Sequence, residues 1–232
     1  MTITLIGTGN LGTNLAAALV KAGHDVTQLH GRSFHLEELQ GDIIIVSVKD
    51  DAIPSVMEIL KGTSKLVVHT AGSVPMNAIL AKRRGVFYPM QTFSKQRLVD
   101  FSEIPIFIES NTDIDLLEQL SLSISSKIYH INSEQRKALH LAAVFACNFT
   151  NHCYDLSAQI LQQNGIPFDV MLPLIDETAK KVHTLSPRQA QTGPAVRYDT
   201  NIIKKQEEQL TGDMKDIYHL MSKSIHNCHD KL

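Results

Sequence analysis

Gly7-Thr8-Gly9-Asn10-Leu11-Gly12 spells G-x-G-x-x-G between a short apolar run, Thr2 to Ile6, and a stretch of helical periodicity. In a strand–turn–helix setting this pattern cradles a pyrophosphate. Gly7 permits the tight turn, Gly9 has no side chain to fill the phosphate's space, and Gly12 lets helix and sheet pack closely. The backbone N–H groups at the helix start, with Thr8, Asn10 and Leu11 among the turn residues, then face the anion. The residues after the second apolar run choose between dinucleotides. An acidic side chain there would bind ribose hydroxyls and repel a 2′-phosphate, but the chain has His30-Gly31-Arg32-Ser33. Arg32 is suited to pairing with a phosphate and Ser33 to donating to it, so NADP(H) is expected ahead of NAD(H).

In a parallel sheet, ligands collect beyond the carboxyl ends of the strands. Val48 ends one such strand, and Thr70-Ala71-Gly72-Ser73 follows another, so both are expected to border the cofactor. Reduction at a C=O or C=N bond also needs a proton donor, and an imidazole is a workable one near neutral pH. His140 is the candidate. Cys147, Asn148 and Asn151 follow it at helical spacing within an apolar stretch, placing polar groups along one helix face. His140 and Asn148 are therefore the expected catalytic pair, against the alternative of a core histidine bonded to a neighbour. The loop Thr192-Gly193-Pro194 with Arg197 is the expected substrate contact, Arg197 clamping a carboxylate. The competing reading is a helix-capping loop with an Arg197–Asp199 ion pair. His226-x-Cys228-His229 matches no closed zinc site and reads as a frayed polar end, so no metal is expected.

The elements that must position these residues change character along the chain. Strands are expected at 2–6, 25–30, 43–48, 65–69, 86–88, 104–108 and 127–131, with helices at 11–22, after Pro54, around 76–83 and at 113–123. This alternation predicts an α/β fold with a Rossmann-type, mostly parallel sheet. Residues 34–40 leave no room for the usual helix and additional strand, so one sheet edge is expected to be trimmed. After Ile131 the pattern is all-helical. Ser133 is the expected N-cap of a helix running to about Gln163, followed by helices near 168–184, 199–210 and 213–226. A dinucleotide-binding domain at 1–131 and a helical substrate and dimerisation domain at 132–232 are the expected division.

The 232 residues carry a formal charge of −2 with no basic stripe, which argues against nucleic acid as a partner. No apolar run is long enough to cross a bilayer, and residues 1–6 lack the features of a signal peptide, so a cytoplasmic protein is expected. The three cysteines have no framework spacing and read as reduced thiols. Leu139 to Phe149 is apolar on more than one face, and a homodimer is expected to cover it.

The glycine turn, the HGRS segment, VSVKDDAI and HTAGS resemble the Rossmann-like oxidoreductases related to pyrroline-5-carboxylate reductase and to F420-dependent NADP reductases. YPMQTFSK (88–95), LHLAAVFACNFTNH (139–152), LIDETAKKVH (174–183) and QTGPAVRYD (191–199) are similar to an uncharacterised subgroup of these with a C-terminal domain of unknown function. The resemblance implies the fold and NADP(H). It also implies a basic residue and an asparagine on the long helix, facing the nicotinamide. The expected function is reduction of a C=O or C=N bond in a small, anionic substrate. The alternatives are a non-catalytic NADP(H) sensor and a scaffold without cofactor.

Overall fold

The computed structural model describes residues 1–31 and 34–229. Seven strands form one sheet in the order β2-β1-β3-β4-β5-β6-β7. They are β1 (Thr2–Ile6), β2 (Asp25–Leu29), β3 (Ile43–Val46), β4 (Leu66–His69), β5 (Arg84–Pro89), β6 (Ile106–Ser110) and β7 (Ile128–His130). All pairings are parallel except β5 with β6, where Phe87 faces Ile108 in an antiparallel register. β3 and β4 are buried along their whole length, as continuous apolar runs require when both sheet faces are covered. Ile3, Leu5, Ile45, Val68 and Phe87 join Leu15 and Leu19 of helix α1 (Asn10–Lys21) in one core cluster. Ile44, Val46 and Val67 pack on the other face with Val56, Met57 and Leu60 of helix α2 (Ile53–Leu60). Each such side chain contributes roughly 1.5–3 kcal/mol by leaving water.

β2 is one edge of the sheet, and among the described residues of its connection to β3 there is one 3₁₀ turn, Leu36–Glu38. The trimmed edge follows from chain length: a further helix and strand do not fit between Leu29 and Ile43. Two local expectations are corrected. Around 76–83 only Met76–Ala78 is helical, as a 3₁₀ turn, because Ile79 is already extended and buried in the core. The N-cap of α4 (Ser133–Ala143) is Asn132, not Ser133; Asn132 and Gln135 form a reciprocal capping box. That frees the Ser133 hydroxyl for contacts outside its helix. Helix α3 (Ile114–Leu122) packs beside β6.

The chain divides into two compact units, Met1–Asn148 and Phe149–Leu232. The division falls inside a π-helical turn, Val144–Phe149, further along than the change of grammar after Ile131. α4 stays with the sheet because Leu139 packs against a cluster of Val86, Tyr88 and Phe107, and because Arg136 is held in the sheet's polar interior. The second unit consists of α5 (Thr150–Gln163), α6 (Leu172–Lys181), the short α7 (Pro187–Ala190), α8 (Thr200–Glu207) and α9 (Gly212–His229). Asp199 caps α8 by accepting from the Ile202 N–H. Among the described residues of this unit, only Ala195 is buried.

Candidate active site

The glycine turn has the geometry its residue types require. Gly7 has φ +129°, and a Cβ there would lie 2.0 Å from the Ser47 carbonyl oxygen. A Cβ on Gly12 would lie 2.5 Å from the Gly7 carbonyl oxygen. Gly9 differs: no atom lies within 4 Å of its missing Cβ, which would project into open space at the α1 N-terminus. A cleft of about 840 Å³ opens there, lined by Gly7, Thr8, Gly9, Asn10, Leu11, His30 and Gly31 on one side. Val48, Thr70, Ala71 and Gly72 also line it, together with Tyr88 and His140. Ser73 turns its hydroxyl to the Asp50 carboxylate, linking the loop after β4 to that after β3. Arg32 and Ser33 lie outside the described residues.

His140 arrives from α4, half-buried, with its ring against the backbone of Gly72. The Tyr88 hydroxyl on β5 is 3.1 Å from its Nδ1, and the two rings meet edge to face with centroids 6.1 Å apart. Burial raises the Tyr88 phenol above its usual range, and the Arg136 guanidinium opposes that shift.

Ser133, Arg136 and His140 share one face of α4 by their three- and four-residue spacing. The Arg136 side chain is 1% exposed; it donates to Glu109 of β6 at 2.5 Å and to the Val74 carbonyl at 2.6 Å. Ser133 donates to Glu109 at 2.8 Å and accepts from the Met76 N–H at 3.0 Å. These bonds pin residues 74–76, and with them the loop after β4, to the helix that carries His140. His69 braces the loop from beneath. Its Nδ1 accepts from the Ala71 N–H at 3.2 Å, and its Nε2 lies 3.5 Å from the Pro75 carbonyl. Burial first, and the Arg136 charge second, lower its pKa to about 4, so the ring is neutral at physiological pH.

A second cavity, of about 530 Å³, adjoins the first through the same Tyr88 and His140. Met90, Leu139, Ala143 and Val144 give it apolar walls, with Gln91, Thr92, Cys147 and Asn148 as polar edges. Expected residues His140 and Asn148 thus meet at one chamber. Thr192 and Arg197 lie exposed on the second unit, where Asp199 is engaged in its cap. His226 stacks on Tyr198 at 3.9 Å, within that same unit. Among the described residues, no group of three or more His, Cys, Asp or Glu side chains is placed to hold a metal ion. Tyr88, His69, Arg136 and Glu109 were not singled out from the sequence. Arg136, one turn ahead of His140 on an expected helix, was the available signal.

Residues 104–225 match the model of a domain of unknown function, DUF2520. A protein of Bacteroides fragilis, provisionally named an NADP oxidoreductase, is 48% identical over 97% of this chain and 98% of its own, with a TM-score of 0.89. The chain belongs to the DUF2520 family. Its fold is shared more widely. A pyrroline carboxylate reductase of Plasmodium falciparum with NADP bound is 16% identical over 97% of this chain and 98% of its own, with a TM-score of 0.63. An imine reductase of Myxococcus stipitatus in complex with NADP⁺ is 15% identical over 100% and 93%, with a TM-score of 0.69. None of the curated proteins compared matches the chain. The DUF2520 match begins just ahead of β6, so the family's shared region includes Glu109, Arg136, His140 and Asn148. No helix among the described residues is long and apolar enough to cross a membrane.

Proposed function

We propose that this DUF2520 protein is an NADP(H)-dependent oxidoreductase that reduces a C=O or C=N bond of a small substrate. One observation carries the reading: a single cleft is lined by a dinucleotide cradle and by a hydrogen-bonded Tyr88–His140 pair, and the same pair lines a second chamber. The fit to the cofactor rests on Gly9, whose missing side chain leaves the N-terminus of α1 open to a pyrophosphate. NADP in the names of related structures and Arg32 in the sequence segment His30-Gly31-Arg32-Ser33 support the phosphorylated form.

When bound, the cofactor supplies a hydride to the substrate carbon. The chain supplies the proton. In the protonated ring Nδ1–H donates to the Tyr88 oxygen, and Nε2–H is the proton given to the substrate oxygen or nitrogen, leaving a neutral imidazole. The C=X bond becomes CH–XH, and the imidazole is reprotonated from solvent. The Asn148 amide, on the wall of the adjoining chamber, is a hydrogen-bonding partner for the same heteroatom.

We also propose a homodimer. Leu141 is 60% exposed on α4, and the second unit leaves Ile160, Val170, Leu174 and Leu220 exposed while burying almost nothing. Ordering a helical unit without a core is unfavourable unless another surface covers it, and a second copy is the simplest cover.

A fluorescence titration with NADPH, followed by a screen of ketones, aldehydes and imines, tests the enzymatic reading. His140→Gln is expected to lower turnover by about 10²–10⁴-fold while leaving NADPH affinity unchanged. Binding without any His140-dependent oxidation would make the protein a sensor. Loss of binding would make it a scaffold.

A further inference from the structure

The chamber beside His140 is built for an uncharged molecule. At about 530 Å³ it has the size of a small-molecule site. Met90, Leu139, Ala143 and Val144 supply apolar surface on several sides. Besides Tyr88 and His140 at its mouth and the Cys147 thiol, its polar groups are Gln91, Thr92 and Asn148, neutral amides and a hydroxyl, and no Lys, Arg, Asp or Glu lines it. Arg136, the buried guanidinium on the same helix, is engaged with Glu109 and Val74 and so is not free to receive an anion. A carboxylate carried against the apolar walls would lose part of its hydration and find no Lys or Arg there, while His140, the one basic side chain of the lining, is engaged with Tyr88 and kept for the reacting heteroatom, which disfavours it. A neutral body loses nothing comparable and gains the apolar contacts.

Resting on the reading above, we infer that the substrate is an uncharged ketone or imine whose apolar body occupies this chamber, its C=X group directed to the mouth between Tyr88 and His140. The expectation of an anionic substrate came from Arg197, a residue of the second unit. The neutral amides orient the molecule by hydrogen bonding, and the apolar walls select it by shape. The imidazole is reserved for the reacting heteroatom.

Cys147 on the chamber wall reports occupancy without turnover. Its alkylation by N-ethylmaleimide, followed by peptide mass spectrometry, is measured in the full chain with NADP⁺ present. Neutral ketones are compared with matched carboxylates, beginning with 4-methylcyclohexanone against 4-oxocyclohexanecarboxylate. The neutral series is expected to slow alkylation of Cys147 by about tenfold at saturation, and the carboxylates to leave it unchanged. Ala143→Leu, which fills the chamber with a good helix former, is expected to abolish protection and keep NADPH affinity within about twofold. Equal or better protection by the carboxylates overturns the inference, as does absence of protection across the neutral series. So does a carboxylate substrate whose KM rises in Arg197→Ala. If NADPH binds and a carboxylate is reduced through His140, the oxidoreductase reading stands and this inference falls. If NADPH does not bind, both fall.

Discussion

A Cβ on Gly72 would lie 2.5 Å from Nδ1 of His140 and 2.9 Å from its Cβ, so the loop after β4 and the helix α4 meet at van der Waals contact through a residue with no side chain. The contact sets where the imidazole sits between the two cavities. Because the clash would reach the His140 Cβ as well as the ring, rotating the ring alone does not relieve it. Gly72→Ala is expected to displace His140 and lower turnover by about 10–100-fold, with a smaller change in NADPH affinity. Steady-state kinetics alongside a fluorescence titration separates the two; an unchanged turnover would show that the ring's position is not set here.

The same loop rests on a buried neutral imidazole, which ties stability to pH. Between the ordinary histidine pKa of 6.5 and about 4, the unfolded chain binds a proton at His69 that the folded chain refuses. Stability therefore rises with pH across that window, and His69 contributes a loss of about 3 kcal/mol as pH falls through it, to order of magnitude. Urea denaturation midpoints measured from pH 4 to 7 should show this slope, and His69→Gln should flatten it relative to the unmodified chain. Parallel slopes in the two proteins would remove His69 as the cause.

Gly9 separates folding from binding. Its missing Cβ faces open space, so Gly9→Val leaves the packing of β1 and α1 intact. The branched side chain would occupy the volume a pyrophosphate needs. Circular dichroism should be unchanged while NADPH binding is lost. Retained affinity would reduce the glycine turn to a connection between strand and helix.

Cofactor preference tests Arg32 and Ser33 directly. NADPH is expected to bind about tenfold or more tightly than NADH, a difference of about 1.4 kcal/mol. Arg32→Ala should remove most of that gap by weakening NADPH alone, since NADH has no 2′-phosphate to lose. Comparable affinity for the two nucleotides in the unmodified chain would sink the assignment.

The helical unit gives the oligomer its test. Light scattering at micromolar concentration is expected to report a dimer. Leu141→Glu, a charge placed on an exposed apolar position, should shift it toward monomer. A monomeric unmodified chain with a fully cooperative unfolding transition would contradict the proposal.

How much of this was legible beforehand depended on the range of the interaction. The glycine turn, the apolar strands, the trimmed edge after β2 and the change to helices after Ile131 follow from neighbours in the chain. Periodicity, turn chemistry and linker length act over a few residues, so sequence alone determined them. His140 was legible as a polar residue in an apolar helix, but its partner was not. Tyr88 lies 52 positions away on a strand, and only the packing of α4 against β5 brings its hydroxyl to the imidazole. The Arg136–Glu109 pair is likewise closed by the fold: its spacing from His140 puts Arg136 on the same helix face, but only packing against β6 buries it and supplies its partner. The N-cap of α4 is Asn132 rather than Ser133 through a local capping box with Gln135, whereas the partners of the freed serine hydroxyl, Glu109 and the Met76 N–H, are both distant in sequence. Local pattern specified the cradle for the cofactor; tertiary packing decided which side chains stand at its end, because buried polar groups must find partners wherever the fold brings them.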